Sequence, residues 1–471
     1  MAQAAPAAGS IDRVSLADDE SQRNFLNTGS TTGCTPFVTG KCAKRTVSDN
    51  GQSVVFTSRA NNLVANDNNN QPDIFLWRAG QDVIRVSISA DGGDANGPSE
   101  GPSISPNGEW IAFESAASNL KAGDISPGFS DVFVYHVTDG AMYKASVPAQ
   151  AGQTPSGNSG GASVANNGTV AFGSFALNMV AGGNGGFQQI YVRRDPAGTG
   201  STEMVSVVDG TTTPGDQVGK EVSIDASGTK VAFTSAASLV GTEDDIREDD
   251  IFVRTLSSPS GGSTTRITTN AGAFHPSISS DGTKVAFAAE ASLTGADGDI
   301  NKDVYTASAS GGGVTLVSDC CGAGGLDKPA VVPSVADNGT AVFQSFSDFE
   351  AGVPNEQVWA GSGGTPVAVS KNPSVSEDLA NGVAEFASVS GNAQFVSFSS
   401  IASNLIPADS NGAEDVFLRD MVANTVTRVS VGPGGVEAAG FQLIPTAPPA
   451  ISGDGRTVAF ASDSTNLIGG A

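Results

Sequence analysis

The chain has 471 residues, only 15% of them charged, and its 49 Asp and Glu against 24 Lys and Arg leave a formal charge of -25. That balance argues against nucleic acid, whose phosphates need basic patches, and against adhesion to anionic lipid. No stretch reaches the roughly eighteen consecutive apolar residues of a spanning helix, so membrane insertion is not expected either. The charge suits a chain that repels its own copies or one that collects cations.

In chain order, Met1-Ala2-Gln3-Ala4 begins a small-residue tail. Its A-x-A pattern resembles a signal-cleavage site without the basic and apolar regions that normally precede one. Residues 1–10 are therefore read as either a signal-derived or a disordered tail. "IDRVSL" follows at Ile11 to Leu16, and nearly the same phrase returns as "VIRVSI" at Val83 and "VTRVSV" at Val426. Cys34 and Cys42 then bracket a short loop and would close a small ring, while Cys320 and Cys321 are adjacent. An even count favours disulfides and an exported chain, in a secreted, cell-surface or periplasmic setting. The second pair could also stay reduced.

A short apolar triplet ending in Phe recurs at Phe56, Phe113, Phe172, Phe233, Phe287, Phe343, Phe398 and Phe460, at intervals of 57, 59, 61, 54, 56, 55 and 62 residues. Such a period is the mark of a repeat architecture. Each unit carries four strand-like phrases. The first resembles "PSIS" (Pro102 to Ser105) and ends in a Gly-containing turn such as "PNG" or "SDG". The second is "IAFES" or "VAFTS", the third "DIFL" or "DVFV", the fourth the "RVS" phrase. Asn-Gly and Asp-Gly supply the positive φ of tight hairpins, and alternating β-branched and aromatic residues read as strands. Four-stranded meanders that cannot bury both faces alone stack radially, which predicts a β-propeller. The expected fold is thus all-β, a single eight-bladed propeller over residues 11–471, with blades starting near 44, 101, 161, 221, 275, 332, 386 and 448. The last unit stops after "PAIS" and "VAFAS". Ile11 to Leu16 is expected to supply its missing outer strand and close the ring.

The phrases "SISSDGTKVAFAAEASL" (from Ser277) and "SDVFVYHVTDG" (from Ser130) resemble TolB-type, WD-like propeller repeats of exported bacterial proteins. The resemblance covers nearly the whole chain and implies the propeller fold. The units at "GGNGGFQQIYV" and "AGVPNEQVWA" depart from it between the second and third strands. It implies no single activity, since members serve as binding platforms, accessory domains and occasionally enzymes, so function rests on sites.

Two sets of residues stand out. Oxygen side chains alternate before the third strand as Asp67, Asn69 and Asp73, as Asp297, Asp299, Asn301 and Asp303, and as Asp409, Asn411 and Asp415. Alternating oxygens in a tight loop can converge on Ca²⁺, with backbone carbonyls completing its shell. They can equally form Asx turns that open the strand. The second set lies where first strands enter the central channel, at Lys44, Glu221 and His275 with neighbours Glu100, Lys220 and Glu385. This mouth could bind a small ligand or peptide end, or be a hydrated channel of compensating charges. "GNSGG" (Gly157 to Gly161) fits a nucleophile elbow literally, but no helix follows it, and only His136 and His275 could serve Ser159. No catalytic residue is assigned. The expected function is a non-catalytic binding or scaffold propeller, calcium-stabilised, with a loop-rich face for a protein or glycan. The alternative is a carbohydrate-active lyase or hydrolase using acidic residues at the loop face or channel mouth.

Overall fold

A computed structural model describes residues 45–462 except 125–127, 199, 242–247, 258–260, 296–300, 319–329, 346–354, 374–377, 408 and 439–447, together with 464, 466 and 467. The strand 11–16, Lys44, both cysteine pairs, Asp297 and Asp299 lie outside the described residues. Among those described, the chain is all-β, with one short 3-10 turn at Pro433–Gly435 as its only helical element. No helix there is long and apolar enough to cross a membrane.

The strands form eight antiparallel sheets in chain order, six of four strands, one of three and one of two. Sheet one holds Ser53–Ser58, Asp73–Arg78 and Ile84–Arg85, with Val47 bridging to Val54 on the near side. Sheet two is typical, with Ser99–Ile104, Trp110–Ser115, Asp131–His136 and Ala141–Lys144 paired in sequence order. The first strands of the later sheets begin at Ser159, Gly219, Phe274, Ala330, Ala384 and Ala450. First strands of successive sheets touch one another, so they form the inner wall.

The recurring Phe explains why sheets pack. It sits mid-way along the second strand and faces a third-strand aromatic across the ladder, as in Phe56 with Phe75, Phe172 with Tyr191 and Phe398 with Phe417. Six such pairs stack with ring centroids 5.6 to 6.0 Å apart. Each pair contributes about 0.5–1.5 kcal/mol beyond its buried area. The core lies between sheets rather than within them. Val55, Ile74 and Leu76 of sheet one pack with Ile104, Ile111 and Phe113 of sheet two. No single sheet buries both faces alone, and stacking against a neighbour does it.

The turns joining first to second strands form a belt. Asp49 donates to the Pro106 carbonyl at 2.7 Å, Asn107 to Asn166 Oδ1 at 2.8 Å, Asn166 to Ala226 and Ala226 to Ser280 at 2.9 Å. Asp281 donates to Asp337 Oδ1 at 3.2 Å, Asp337 to Gly391 at 3.0 Å and Gly391 to Gly453 at 2.9 Å. Asp454 donates to the Asp49 carbonyl at 2.8 Å, so the bonds run from each sheet to the next and from the eighth to the first. Ala450 and Ala459 also pack on the Val47, Val54 and Phe56 cluster of sheet one.

Candidate functional site

At the end opposite this belt, the inner strands of sheets two to seven each carry a bulge. The ladder between first and second strands skips at Glu100/Ser103, Gly160/Ser163, Lys220/Val222, Phe274/Ser277, Val331/Ser334 and Glu385/Ser388. The bulged residue is left-handed, with φ of 61° at Gly101, 68° at Gly161, 51° at Glu221, 55° at His275 and 57° at Phe386. For the non-glycines this conformation costs about 1–3 kcal/mol. It turns the bulge N–H toward the preceding sheet. Gly161 donates to Glu114 Oε2 at 3.3 Å, His275 to Glu221 Oε2 at 2.7 Å and Phe386 to Gln344 Oε1 at 3.1 Å.

These bulges put the predicted mouth residues at one end of the inner wall, on sheet two (Glu100), sheet four (Lys220, Glu221), sheet five (His275) and sheet seven (Glu385). Lys220 Nζ is 2.7 Å from Asp249 Oδ2. Glu221 Oε1 is 3.6 Å from His275 Nε2, and Thr234 donates to Glu221 Oε2 at 3.3 Å. Glu100 stands directly opposite Glu114 across the ladder. Burial holds the Glu100 carboxyl above its ordinary range, the Glu114 charge adds to this, and Arg59 opposes it. Burial likewise raises Glu414; a hydrogen bond with Ser399 opposes the shift, and Glu385 and Asp415 reinforce it. The mouth therefore holds two sites where a carboxyl, raised above its ordinary range, stands beside another acid. Glu114 and Glu414 escaped the reading of the sequence, because Glu114 lies inside the "IAFES" phrase, read only as a strand, and Glu414 lies one residue before the third-strand phrase.

The third-strand acids behave differently from a metal loop. Arg85 Nη1 lies 2.9 Å from Asp67 Oδ1 and 3.6 Å from Asp73 Oδ2, and Arg85 Nη2 lies 2.9 Å from Asp94. Asn69 donates to Asp73 Oδ2 at 2.9 Å. At the other end of the chain, Arg428 Nη1 lies 3.2 Å from Asp409, 3.1 Å from Asp415 and 3.0 Å from Glu437, and Asn411 donates to Asp415 at 3.0 Å. A guanidinium thus stands where Asp67, Asn69 and Asp73, or Asp409, Asn411 and Asp415, were expected to gather Ca²⁺. The expectation is corrected for these two loops, because a fixed cation already meets their charge. One guanidinium among three acids does not offset burial fully, and Asp67 is raised to about 6, burial outweighing Arg85.

The missed signal is the cation of the "RVS" phrase. Arg85, Lys144, Arg266 and Arg428 all pair with the third-strand aromatic, at Phe75, Phe133, Phe252 and Phe417. Lys144 Nζ is 2.8 Å from Asp124 and 2.7 Å from Asp131, and Arg266 is 2.6 Å from Asp250. Where the acid becomes Gln189 or Gln357, the same register position holds Met204 or Ala368. In each of the first seven sheets, whether the residue is Asp or Gln, a hydroxyl at or just after the fourth strand donates to it, as Ser87 does to Asp73 at 2.5 Å and Ser206 to Gln189 at 2.6 Å. Sheet five keeps Asp303, which accepts from Ser318 at 2.5 Å, yet places Leu316 opposite Tyr305. Asn301 is described there, while Asp297 and Asp299 are not.

Ser159 lies in the first strand of sheet three, its hydroxyl 2.8 Å from that of Ser174. His136 stacks on Trp110 at 4.2 Å and contacts Asp139 at 2.9 Å, at the far end of sheet two. Among the described residues, no triad gathers around Ser159.

Fold and site together define a β-propeller with an acid-rich channel mouth. No protein-family model matches the chain, and no curated protein does. Among solved structures it is similar to a prolyl endopeptidase, at 9% identity and a TM-score of 0.49, over 86% of this chain and 50% of that one. It is similar to a putative TolB from Agrobacterium tumefaciens at 17% identity and a TM-score of 0.33, over 64% of this chain and 88% of that one. An oligogalacturonate lyase, in complex with manganese, follows at 11% and 0.44, over 91% and 87%. The chain spans about half the length of the peptidases it matches. These likenesses are of fold alone. They nonetheless correct the expectation of a non-catalytic scaffold, because the proteins found with this fold are mainly peptidases and a lyase.

Proposed function

We propose that this chain is a glycan-cleaving hydrolase working at the channel mouth. The observation that carries the reading is Glu100, half-buried and directly opposite Glu114, its carboxyl held above the ordinary range by burial and by the Glu114 charge. Directly opposed residues on one sheet face have Cβ atoms about 5 Å apart. Paired carboxyls at such short range suit the retaining mechanism, in which one carboxyl protonates the leaving oxygen and the other attacks the anomeric carbon. Glu100 is the acid. Glu114, which accepts the Gly161 N–H, is the nucleophile. Water then takes the sugar from Glu114 as Glu100 removes its proton. Eliminative cleavage would need a uronate substrate, which a chain of charge -25 repels. A neutral glycan fits better.

The test is release of reducing ends from neutral and uronate polysaccharides by the purified chain. Glu100→Gln and Glu114→Gln should each lower turnover at least about 100-fold. Ultraviolet-absorbing unsaturated ends would indicate a lyase instead, and no turnover of any glycan would end the reading.

The proposal takes the scaffold as an eight-bladed ring completed by Ile11 to Leu16, whose "RVS" phrase matches the strand that the last unit lacks. Export is part of it, on the even cysteine count. Calcium is proposed for the Asp297, Asp299, Asn301 and Asp303 loop alone. Supporting this, four oxygen side chains alternate there before the third strand.

A further inference from the structure

Beside the Glu100 and Glu114 pair, the mouth of sheet three is bare. Gly160 and Gly161 in its first strand and Gly173 in its second present backbone only. A Cβ added at Gly161 would meet nothing within 4 Å, so that spot is open. At Gly160 an added Cβ would run into Glu114 Oε2, and at Gly173 into Gln188 Nε2. A carboxylate therefore lies over Gly160 and an amide over Gly173.

One edge of this glycine floor is aromatic. Phe175 is 55% exposed, Leu177 56% and Phe129 39%. Phe175 is nonetheless rigidly held. Its N–H donates to the Asn158 carbonyl at 2.9 Å, and its own carbonyl accepts from Asn184 Nδ2 at 3.2 Å. The Asn158 side chain accepts from Ser130 N–H at 2.9 Å, so Phe129 and Phe175 flank one residue from neighbouring sheets. Asn158 is three residues before Gly161, about 10 Å along a strand. An exposed aromatic pair anchored on fixed backbone is costly unless something covers it. Its flanking groups are amides and one carboxylate, which satisfy hydroxyls.

We infer that Phe129, Phe175 and the glycine floor of sheet three form a subsite for a neutral sugar ring, adjoining the bond that Glu100 and Glu114 cleave. The sugar's apolar face lies on the negative face of the aromatic rings through its C–H groups, and its hydroxyls meet Gln188 and Glu114. The literal G-x-S-x-G run is then a floor. Its glycines are there because any side chain would occupy the sugar's place or collide with Glu114. This inference rests on the hydrolase reading for what happens beside the subsite, though not for binding itself.

The experiment measures binding of cellohexaose, mannohexaose and maltohexaose to the full chain carrying Glu114→Gln, by calorimetry. Adding Phe175→Ala should weaken binding of whichever sugar is taken about tenfold, and Phe175→Trp should preserve it. Melting curves verify that these exposed substitutions leave the fold intact. Phe175→Ala on the otherwise native chain should raise KM for the polysaccharide. Equal sugar affinity with and without Phe175 overturns the subsite and spares the hydrolase. Phe175-dependent binding without turnover of any glycan supports the subsite and overturns the hydrolase. No sugar binding overturns the subsite, as does self-association that Phe175→Ala abolishes.

Discussion

Arg428→Met tests the internal-cation reading most directly. Arg428 has only 6% of its side chain exposed, Asp409 5% and Asp415 none, while Glu437 keeps 22%. Removing the guanidinium leaves two buried acids and one half-buried acid without their cation. Breaking a buried pair from one side costs about 3–5 kcal/mol. The chain itself shows the neutral solution. In sheet three Gln189 replaces the acid and Met204 the cation, with Gln189 Nε2 donating to the Gly215 carbonyl at 2.8 Å. Adding Asp415→Gln to Arg428→Met copies that arrangement, so the double variant should recover at least about 2 kcal/mol, within the range of coupling between contacting residues. Urea unfolding monitored by near-ultraviolet circular dichroism measures both. The single variant should also lose less at acid pH, because burial already raises Asp409 and a proton can replace the missing charge. A harmless single variant, or two substitutions whose effects simply add, would refute the reasoning.

Asp67 carries a folded pKa of about 6 against an ordinary 3.8. A raised acid lends stability that is present below its unfolded pKa and is lost as pH rises through the folded one. Asp67→Asn should therefore flatten the pH dependence of melting between about 4 and 6 and leave the variant more stable at neutral pH; an unchanged slope counts against the burial argument. Gly455→Ala combines a φ of 73° with a Cβ that would collide with the Phe395 ring, and should cost at least about 1–3 kcal/mol in denaturant titration. Calcium should stabilise the fold over chelator by about 2.7 kcal/mol at one hundred times the dissociation constant, read as a higher melting temperature, and Asp299→Ala should remove the effect. Identical curves would leave that loop an Asx turn.

The strand order of each sheet was legible in the amino-acid sequence because it depends on local period. Alternation, Gly-bearing turns and a Phe every 54 to 62 residues act within one unit, so repetition makes them visible. The alternating oxygens were legible too, but not what they hold. Asp67 and Arg85 are eighteen positions apart and meet only because the third and fourth strands pair in one register. The same holds for the mouth. Glu100 and His275 could be picked out as first-strand residues, yet a bulge decides which way each N–H points, and ladder register alone sets Glu114 against Glu100. Phe175 reads as one more apolar residue after a strand. Its exposure, 55%, appears only once the strands have paired. Period is a property of the chain, whereas charge pairing and exposure belong to the contacts between strands and sheets, which exist only after the ring of sheets has formed.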